Sequence, residues 1–174
     1  MEKQPDVAII MGSDSDLSIM KDAAKFLDEM GISYEMTILS VHRCPEKSME
    51  YAKSLKERKV KVIIAGAGGA AHLPGVFAAN VACPVIGVPI MSKTLNGLDS
   101  LYSIVQMPSG IPVATVAING AKNAGILAAT ILATKDEELY KKICDYKASL
   151  NDAVLKKNDK LQDIGYENYL SEMK

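Results

Sequence analysis

The chain is built from short apolar runs that alternate with stretches of three- and four-residue hydrophobic periodicity. Val7-Ala8-Ile9-Ile10-Met11 is continuously apolar and ends in Gly12-Ser13-Asp14-Ser15-Asp16, the pattern of a parallel strand buried on both faces that opens into a polar loop. Leu17, Met20, Ala24 and Leu27 then recur at helical spacing up to Met30-Gly31, where the glycine predicts a helix stop. Ser33 to Leu39 reads as a second strand, with Tyr34, Met36 and Ile38 alternating against more polar neighbours. Pro45 suits the first turn of a second helix, whose buried face is marked by Met49, Ala52 and Leu55. A third strand over Val60 to Ala65 runs into Gly66-Ala67-Gly68-Gly69-Ala70-Ala71-His72-Leu73-Pro74-Gly75, followed by a short apolar helix over Val76 to Val81. Pro84 to Pro89 is a fourth strand, Ile90 to Asn96 a polar loop, Gly97 to Gln106 a short helix and Ile111 to Ile118 a fifth strand.

Strand and helix alternating in this way imply right-handed crossovers and a parallel sheet covered on both faces. The expected fold is three-layer α/β/α with a flavodoxin-like five-stranded sheet of order 2-1-3-4-5 and a C-terminal helical extension. Residues 1–174 are expected to form one domain, with a core over about 6–134 and a helix and tail over about 135–174. Ala121 to Thr134 is apolar around nearly its whole circumference, so a helix there needs cover on every side, and a neighbouring subunit is the expected source. Leu139, Ile143, Tyr146, Leu150 and Val154 stripe a long amphipathic helix. The mostly polar stretch from Lys156 is expected to be a loosely attached tail with about one helical turn.

Composition narrows the partners. With 20 basic and 21 acidic residues, no global field attracts nucleic acid or an anionic membrane. Met1 to Asp6 lacks a basic-then-apolar signal pattern, and no apolar stretch approaches the roughly 20 residues that span a bilayer, so a cytoplasmic protein is expected. Cys44, Cys83 and Cys144 share no metal-type spacing and are odd in number, which supports free thiols rather than a zinc site or a disulfide framework.

In an open α/β sheet the ligand lies beyond the carboxyl ends of the strands, where strand order reverses. Gly12 to Asp16 offers backbone N–H groups and hydroxyls suited to a phosphate, while Asp16 suits a pair of sugar hydroxyls; the same residues also serve as ordinary helix caps. After the second strand, His42 supplies a group that exchanges protons near neutral pH and Arg43 a fixed positive charge for phosphate. Cys44 reads either as a thiol activated at a helix N-terminus or as a small capping residue. The run from Gly66 to Ala71 removes side chains where a backbone approaches a flat ligand and supplies N–H groups for an anionic one, or else lets a loop pack closely on a helix. It is not a dinucleotide fingerprint, which belongs after the first strand. His72 either closes the site or is packed. Ser92 to Asp99 and Gln106 to Pro112 read as turn-rich loops that cover a site, meet another subunit or are simply solvated.

Taken together, Gly12-Ser13-Asp14-Ser15-Asp16, Ser40-Val41-His42-Arg43, the Ala65 to Gly75 run and Ser103-Ile104-Val105-Gln106-Met107-Pro108 closely resemble the N5-carboxyaminoimidazole ribonucleotide mutases of purine biosynthesis, from about Val7 to Ala133. The resemblance implies conversion of N5-carboxyaminoimidazole ribonucleotide to 4-carboxy-5-aminoimidazole ribonucleotide, an isomerisation without net oxidation or hydrolysis. By similarity His42 is the catalytic acid/base, Ser13, Ser40 and Arg43 hold the phosphate, and Asp16 holds the ribose. Gly66, Ala67, Gly68 and Gly69, with His72 and Leu73, line the pocket for the ring and its carboxylate. No metal or other cofactor is implied. The resemblance also implies a homo-octamer and a functional link to the ATP-dependent synthetase that makes the substrate.

Related proteins that carboxylate aminoimidazole ribonucleotide directly with CO2 tend to carry His-Lys where this chain has His42-Arg43, and they lack the Gly-Gly-Ala-Ala-His-Leu-Pro-Gly run. Both features group this chain with the mutases. Val41 and Cys44 depart from the Ala and Thr more usual there. A phospho-receiver or flavin-binding module shares the expected fold, but a receiver needs an acceptor aspartate where this chain has Gly66-Ala67-Gly68. No aromatic residue stands in the loops after the first three strands to stack on a flavin.

Overall fold

The structure, a computed structural model, describes residues 4–173. It divides into two compact units, one up to Leu132 and one from Ala133 onward. The first holds a five-stranded parallel sheet of order β2-β1-β3-β4-β5, the order expected from the sequence. The strands are β1 (Val7–Met11), β2 (Tyr34–Ile38), β3 (Val62–Gly68), β4 (Val85–Ile90) and β5 (Ala114–Thr115). The helices between them are α1 (Leu17–Met30), α2 (Pro45–Glu57), α3 (Leu73–Asn80) and α4 (Leu98–Val105), with α5 (Ala121–Ala133) after β5.

Residue alternation along the central strands assigns the two faces. Ala8 and Ile10 of β1 pair in register with Ile63 and Ala65 of β3, and these side chains form one buried cluster with Ala52 and Leu55 of α2, Leu73 and Phe77 of α3, and Ile104 of α4. On the opposite face Met20 of α1 packs over Gly66, and Phe26 of α1 adjoins Gly125 of α5. A methyl group at Gly66 would collide with the Met20 Sδ, and one at Gly125 of α5 would lie 3.0 Å from the Ala23 carbonyl oxygen of α1. Small residues are therefore required where these helices press onto the sheet and onto one another.

Several local expectations change. Gly31 does end α1, with φ of 74° and its N–H bonded to Asp28 and Leu27 carbonyls, but Leu17 is exposed while Ala23 and Phe26 join the buried face. In α2 the buried positions are Ser48, Ala52 and Leu55, and Met49 is only half-buried. The Ser48 hydroxyl is satisfied by donating to the Cys44 carbonyl at 2.9 Å. On the edge strand β2, the face carrying Glu35 and Thr37 is tied to α2. Tyr51 donates to Glu35 at 2.6 Å, Thr37 donates to Tyr51 at 3.0 Å, and Arg58 grips both Glu35 oxygens at 2.7 Å. That bidentate grip holds the Glu35 carboxyl below its usual range, while burial and the Glu35 carboxylate push the Tyr51 hydroxyl up to about 12.

The fifth strand is two residues long rather than the eight read over Ile111 to Ile118. Pro112 cannot donate to a ladder, and beyond Thr115 the ladder gives way to separate backbone bonds to β4, from Val116 N–H to Gly87 and from Asn119 N–H to Pro89.

In the second unit α6 (Glu137–Glu172) begins with Asp136 as its cap, whose side chain accepts from the Leu139 N–H at 2.9 Å. Leu139 and Ile143 are its buried residues, whereas Leu150 and Val154 of the same stripe are exposed. The tail expected from Lys156 is instead helical. Lys156 to Ile164 contains neither Pro nor Gly, so polarity alone does not interrupt the helix. The break falls at Gly165 (φ 74°, ψ 162°), after which Tyr169 and Glu172 come back to Lys160, through a cation–π contact and an ion pair respectively. No helix of the described residues is long and apolar enough to cross a membrane.

Candidate active site

The strand ends build the site. β1, β3 and β4 run parallel, so the segments after Met11, Gly68 and Ile90 emerge on one edge of the sheet, joined by the loop after β2. Between them lies a cavity of about 510 Å³, within the range that holds a small ligand. Gly12, Ser13, Ser15 and Asp16 line it from the first loop, and Ser40, Val41, His42 and Arg43 from the second. Ala67, Gly68, Gly69, Ala70, His72 and Leu73 come from the third, and Ile90, Met91 and Ser92 from the fourth.

Every sequence-predicted site residue except Gly66 is thus brought to one cavity. Gly66 lies in the buried part of β3, where its carbonyl accepts from Gly12 N–H at 3.3 Å and its missing side chain makes room for Met20. Its role in the structure is to let α1 pack against the strand that leads into the site. Ser15, Ala70 and Ser92, which fall within segments read as possible site elements, also line the cavity, as do Val41, Ile90 and Met91. Sheet topology could have indicated Ile90 and Met91, because β4 neighbours β3 on the ligand edge.

The two histidines of the chain meet here. His42 Nε2 lies 2.7 Å from His72 Nδ1, and the rings cross nearly edge-to-face at 83°. Two unprotonated nitrogens would repel at that distance, so one of the pair carries the bridging hydrogen. Sequence spacing separates these residues by 30 positions; only the adjacency of the loops after β2 and β3 unites them.

Arg43 reaches from the second loop to the first, donating through Nη2 to the Gly12 carbonyl at 2.9 Å. It lines the cavity together with Ser13 and Ser40, and it is the only Lys or Arg among the lining residues. Ser13 also acts as a cap, accepting from Ser15 N–H at 3.3 Å, and Ser40 accepts from Arg43 N–H at the same distance. Capping and ligand binding are therefore compatible uses of these hydroxyls. Cys44 occupies the N-cap of α2 without capping it. Its thiol donates to the Ser40 carbonyl at 3.0 Å, stitching the loop together, and it does not line the cavity.

Asp16 is 7% exposed, with Ser15 Oγ donating to its carboxylate at 3.2 Å. Burial raises its pKa against the opposing effect of hydrogen bonds from Ser15, Ser13 and Gly12. A carboxylate withdrawn from water and facing a cavity is set to accept from ligand hydroxyls, which would restore the hydrogen bonds lost to burial.

The glycine run departs from the expected anion cradle. Gly69 N–H is taken by Ser100 Oγ at 2.9 Å, and Ala71 and His72 N–H groups bond back to the Gly69 and Ala70 carbonyls. What the run presents to the cavity is side-chain-free surface at Gly68 and Gly69, the latter with φ of 66°.

A doubly wound α/β protein with a small-molecule pocket at the reversal of its strand order is the class that fold and cavity define. Within that class, residues 6–153 match the family described as AIR carboxylase, and the chain belongs to that family. It is 61% identical over 168 residues to the N5-carboxyaminoimidazole ribonucleotide mutase of Thermotoga maritima, covering 97% of this chain and 98% of that one. It is 56% identical over 167 residues to the phosphoribosylaminoimidazole carboxylase of Schizosaccharomyces pombe, covering 96% of this chain but only 30% of that longer protein. The crystal structure of Treponema denticola PurE superposes with a TM-score of 0.83 at 33% identity, covering 89% of this chain and 97% of that one.

Proposed function

We propose that the protein is an isomerase that converts N5-carboxyaminoimidazole ribonucleotide to 4-carboxy-5-aminoimidazole ribonucleotide in purine biosynthesis. The observation that carries the reading is the histidine pair at 2.7 Å in a cavity that also holds Arg43, Asp16 and a side-chain-free glycine surface. In this assignment Ser13, Ser40 and Arg43 hold the phosphate and Asp16 the ribose hydroxyls. The flat ring lies against Gly68 and Gly69, with Ala67, His72 and Leu73 around its carboxylate.

His42 delivers a proton to the exocyclic nitrogen, and the N–C bond breaks with its electron pair going to that nitrogen, freeing CO2. The enamine-like ring carbon then attacks the confined CO2, forming the C–C bond, and the proton on that carbon returns to His42. One proton is given and one recovered, and nothing is oxidised or reduced. His72 holds the His42 ring through the shared hydrogen and so sets its tautomer. The small residues Ala67, Gly68, Gly69 and Ala70 let the ring and the freed CO2 lie close together, which favours recapture over escape between the two steps.

The alternative within the family is direct carboxylation of aminoimidazole ribonucleotide by CO2. It is disfavoured by Arg43, where such proteins tend to have Lys, and by the intact Gly68 to Gly75 run. Purified protein supplied with N5-carboxyaminoimidazole ribonucleotide is expected to turn over rapidly, and protein supplied with aminoimidazole ribonucleotide and bicarbonate is not. The reverse pattern overturns the assignment. His42→Asn is expected to lower kcat by about 10²- to 10⁴-fold with the fold retained, measured by steady-state assay and circular dichroism. The whole chain acts as one catalytic unit in this reading, in the cytoplasm, as a homo-octamer that takes its substrate from the ATP-dependent synthetase preceding it.

A further inference from the structure

Among the described residues, Ser100 is the one hydroxyl residue that is fully buried and stands directly behind the cavity wall. It is 0% exposed. Its Oγ accepts from Gly69 N–H at 2.9 Å and donates to the Ile90 carbonyl at 2.6 Å. Gly68 and Ile90 are the last paired residues of β3 and β4, so this hydroxyl sits just past the end of the ladder and joins the two strand ends where direct pairing stops. Both residues that it joins line the cavity.

Other side chains of the same helix complete the attachment. Ser103 Oγ shares its single hydrogen between the Asp99 carbonyl at 2.8 Å and the Gly69 carbonyl at 3.2 Å, so it adds a weaker hold from α4 on the second polar group of Gly69, which adopts positive φ. Asp99 accepts from Ser92 Oγ at 2.7 Å, and Ser92 in turn receives the N–H groups of Leu95 and Gly97. Three residues beyond Gly69 the chain reaches His72, which contacts His42. The Gly69 to His72 turn is short and tightly bonded, with Ala71 and His72 N–H groups returning to Gly69 and Ala70. A change in the orientation of the Gly69 peptide is therefore passed on to the His72 ring rather than absorbed.

We propose that Ser100, supported by Ser103, is a positioning residue for the reaction, fixing the Gly69 peptide so that the glycine surface and the His72 ring keep their places relative to His42. Neither hydroxyl lines the cavity, so neither touches substrate; both act through Gly69. The inference rests on the mutase reading for its kinetic effect but not for its structural one. The residues assigned to phosphate and ribose come from the loops after β1 and β2 and do not bond to α4, so the main anchors of the substrate stay in place while the ring surface and His72 shift.

The test is Ser100→Ala, with Ser100→Thr as the variant that keeps the hydroxyl and Ser103→Ala as the milder lesion. For Ser100→Ala the expected result is a fall in kcat of about 10- to 100-fold, as for a small misplacement of a reacting group, with KM changed less than about threefold. Ser103→Ala is expected to lower kcat in the same sense by a smaller factor, and Ser100→Thr to recover most of the loss. Because the chain has only two histidines, their ring nitrogen signals in long-range ¹⁵N–¹H spectra report the His42–His72 contact directly. Those signals are expected to move in both alanine variants and to return towards wild type in Ser100→Thr. Should Ser100→Ala fail to fold, Ser103→Ala decides the matter by the same two readouts. Unchanged ring signals in a folded alanine variant overturn the proposal, as does a loss that falls in KM rather than kcat. If wild-type protein lacks mutase activity, the function fails while the ring signals still judge the positioning.

Discussion

Asp16 illustrates a conflict between stability and binding held in one side chain. Because burial raises its folded pKa above the ordinary carboxylate value of 3.8, the unfolded chain releases this proton first as pH rises. Stability contributed by Asp16 therefore falls across the window between the ordinary and the raised value, and above that window the charged group is carried at a net cost. Asp16→Asn is expected to raise the melting temperature of the ligand-free protein above the window, and to lose that advantage as pH falls below it. The same change is expected to weaken binding of a ribonucleotide about 10- to 100-fold, since Asn offers neutral bonds in place of charge-assisted ones. A melting series against pH, with calorimetric titration at neutral pH, checks both parts; a variant that is destabilised at neutral pH refutes the first. Single residues of this kind were legible as candidates, because they stand in strand-end loops at the ligand edge of the sheet, although Ser and Asp there read equally as helix caps. Their relations were not. Nothing in the spacing of His42 and His72, or of Gly69 and Ser100, shows that they touch, since the first contact joins the loops after β2 and β3, which flank β1, and the second joins the loop after β3 to helix α4.

At the scale of elements, periodicity was informative where one environment dominates a segment. β1, β3 and β4 are buried on both faces and read as apolar runs, and Gly31 adopts the positive φ that its position after α1 suggested. Legibility failed where the environment is mixed. β5 is an edge strand of two residues continued by isolated bonds, and α6 runs on through a polar stretch that has no Pro or Gly before Gly165, where extending an already nucleated helix costs little. Gly66 shows how a residue can resemble a binding element while serving packing. A methyl group there meets Met20 at a separation that real side chains do not occupy, so Gly66→Ala is expected to destabilise the fold by about 1–3 kcal/mol. If Met20 is the obstacle, Met20→Ala should absorb much of that penalty, and the double variant should be more stable than the sum of the two single effects. Denaturant titration of the four proteins supplies the comparison, and strict additivity would mean that the strain lies elsewhere.

The whole molecule carries one feature that the chain by itself does not explain. α5 turns Ala121, Ala124, Gly125, Ala128 and Ala129 inward, and small residues there let it approach α1 closely. Its larger apolar side chains, Ile126, Leu127, Ile131 and Leu132, are only half-buried. This is the reverse of an ordinary surface helix, in which large apolar residues face the core and small or polar ones face water. The apolar circumference was readable from sequence, but the division of that circumference into a small inner face and a large outer one required the structure. Cover from further copies of the chain, as in the proposed octamer, would bury that outer face. Light scattering at micromolar protein is expected to give a mass near eight times the 18.7 kDa of one chain, and a monomeric mass would refute the assembly. Leu127→Glu is expected to shift that mass to smaller species while leaving the helical circular dichroism unchanged, because the new charge falls on the outer face and not against the sheet. If the variant keeps the full mass, α5 is not part of the interface; if it unfolds instead, the half-buried face is needed by the subunit itself.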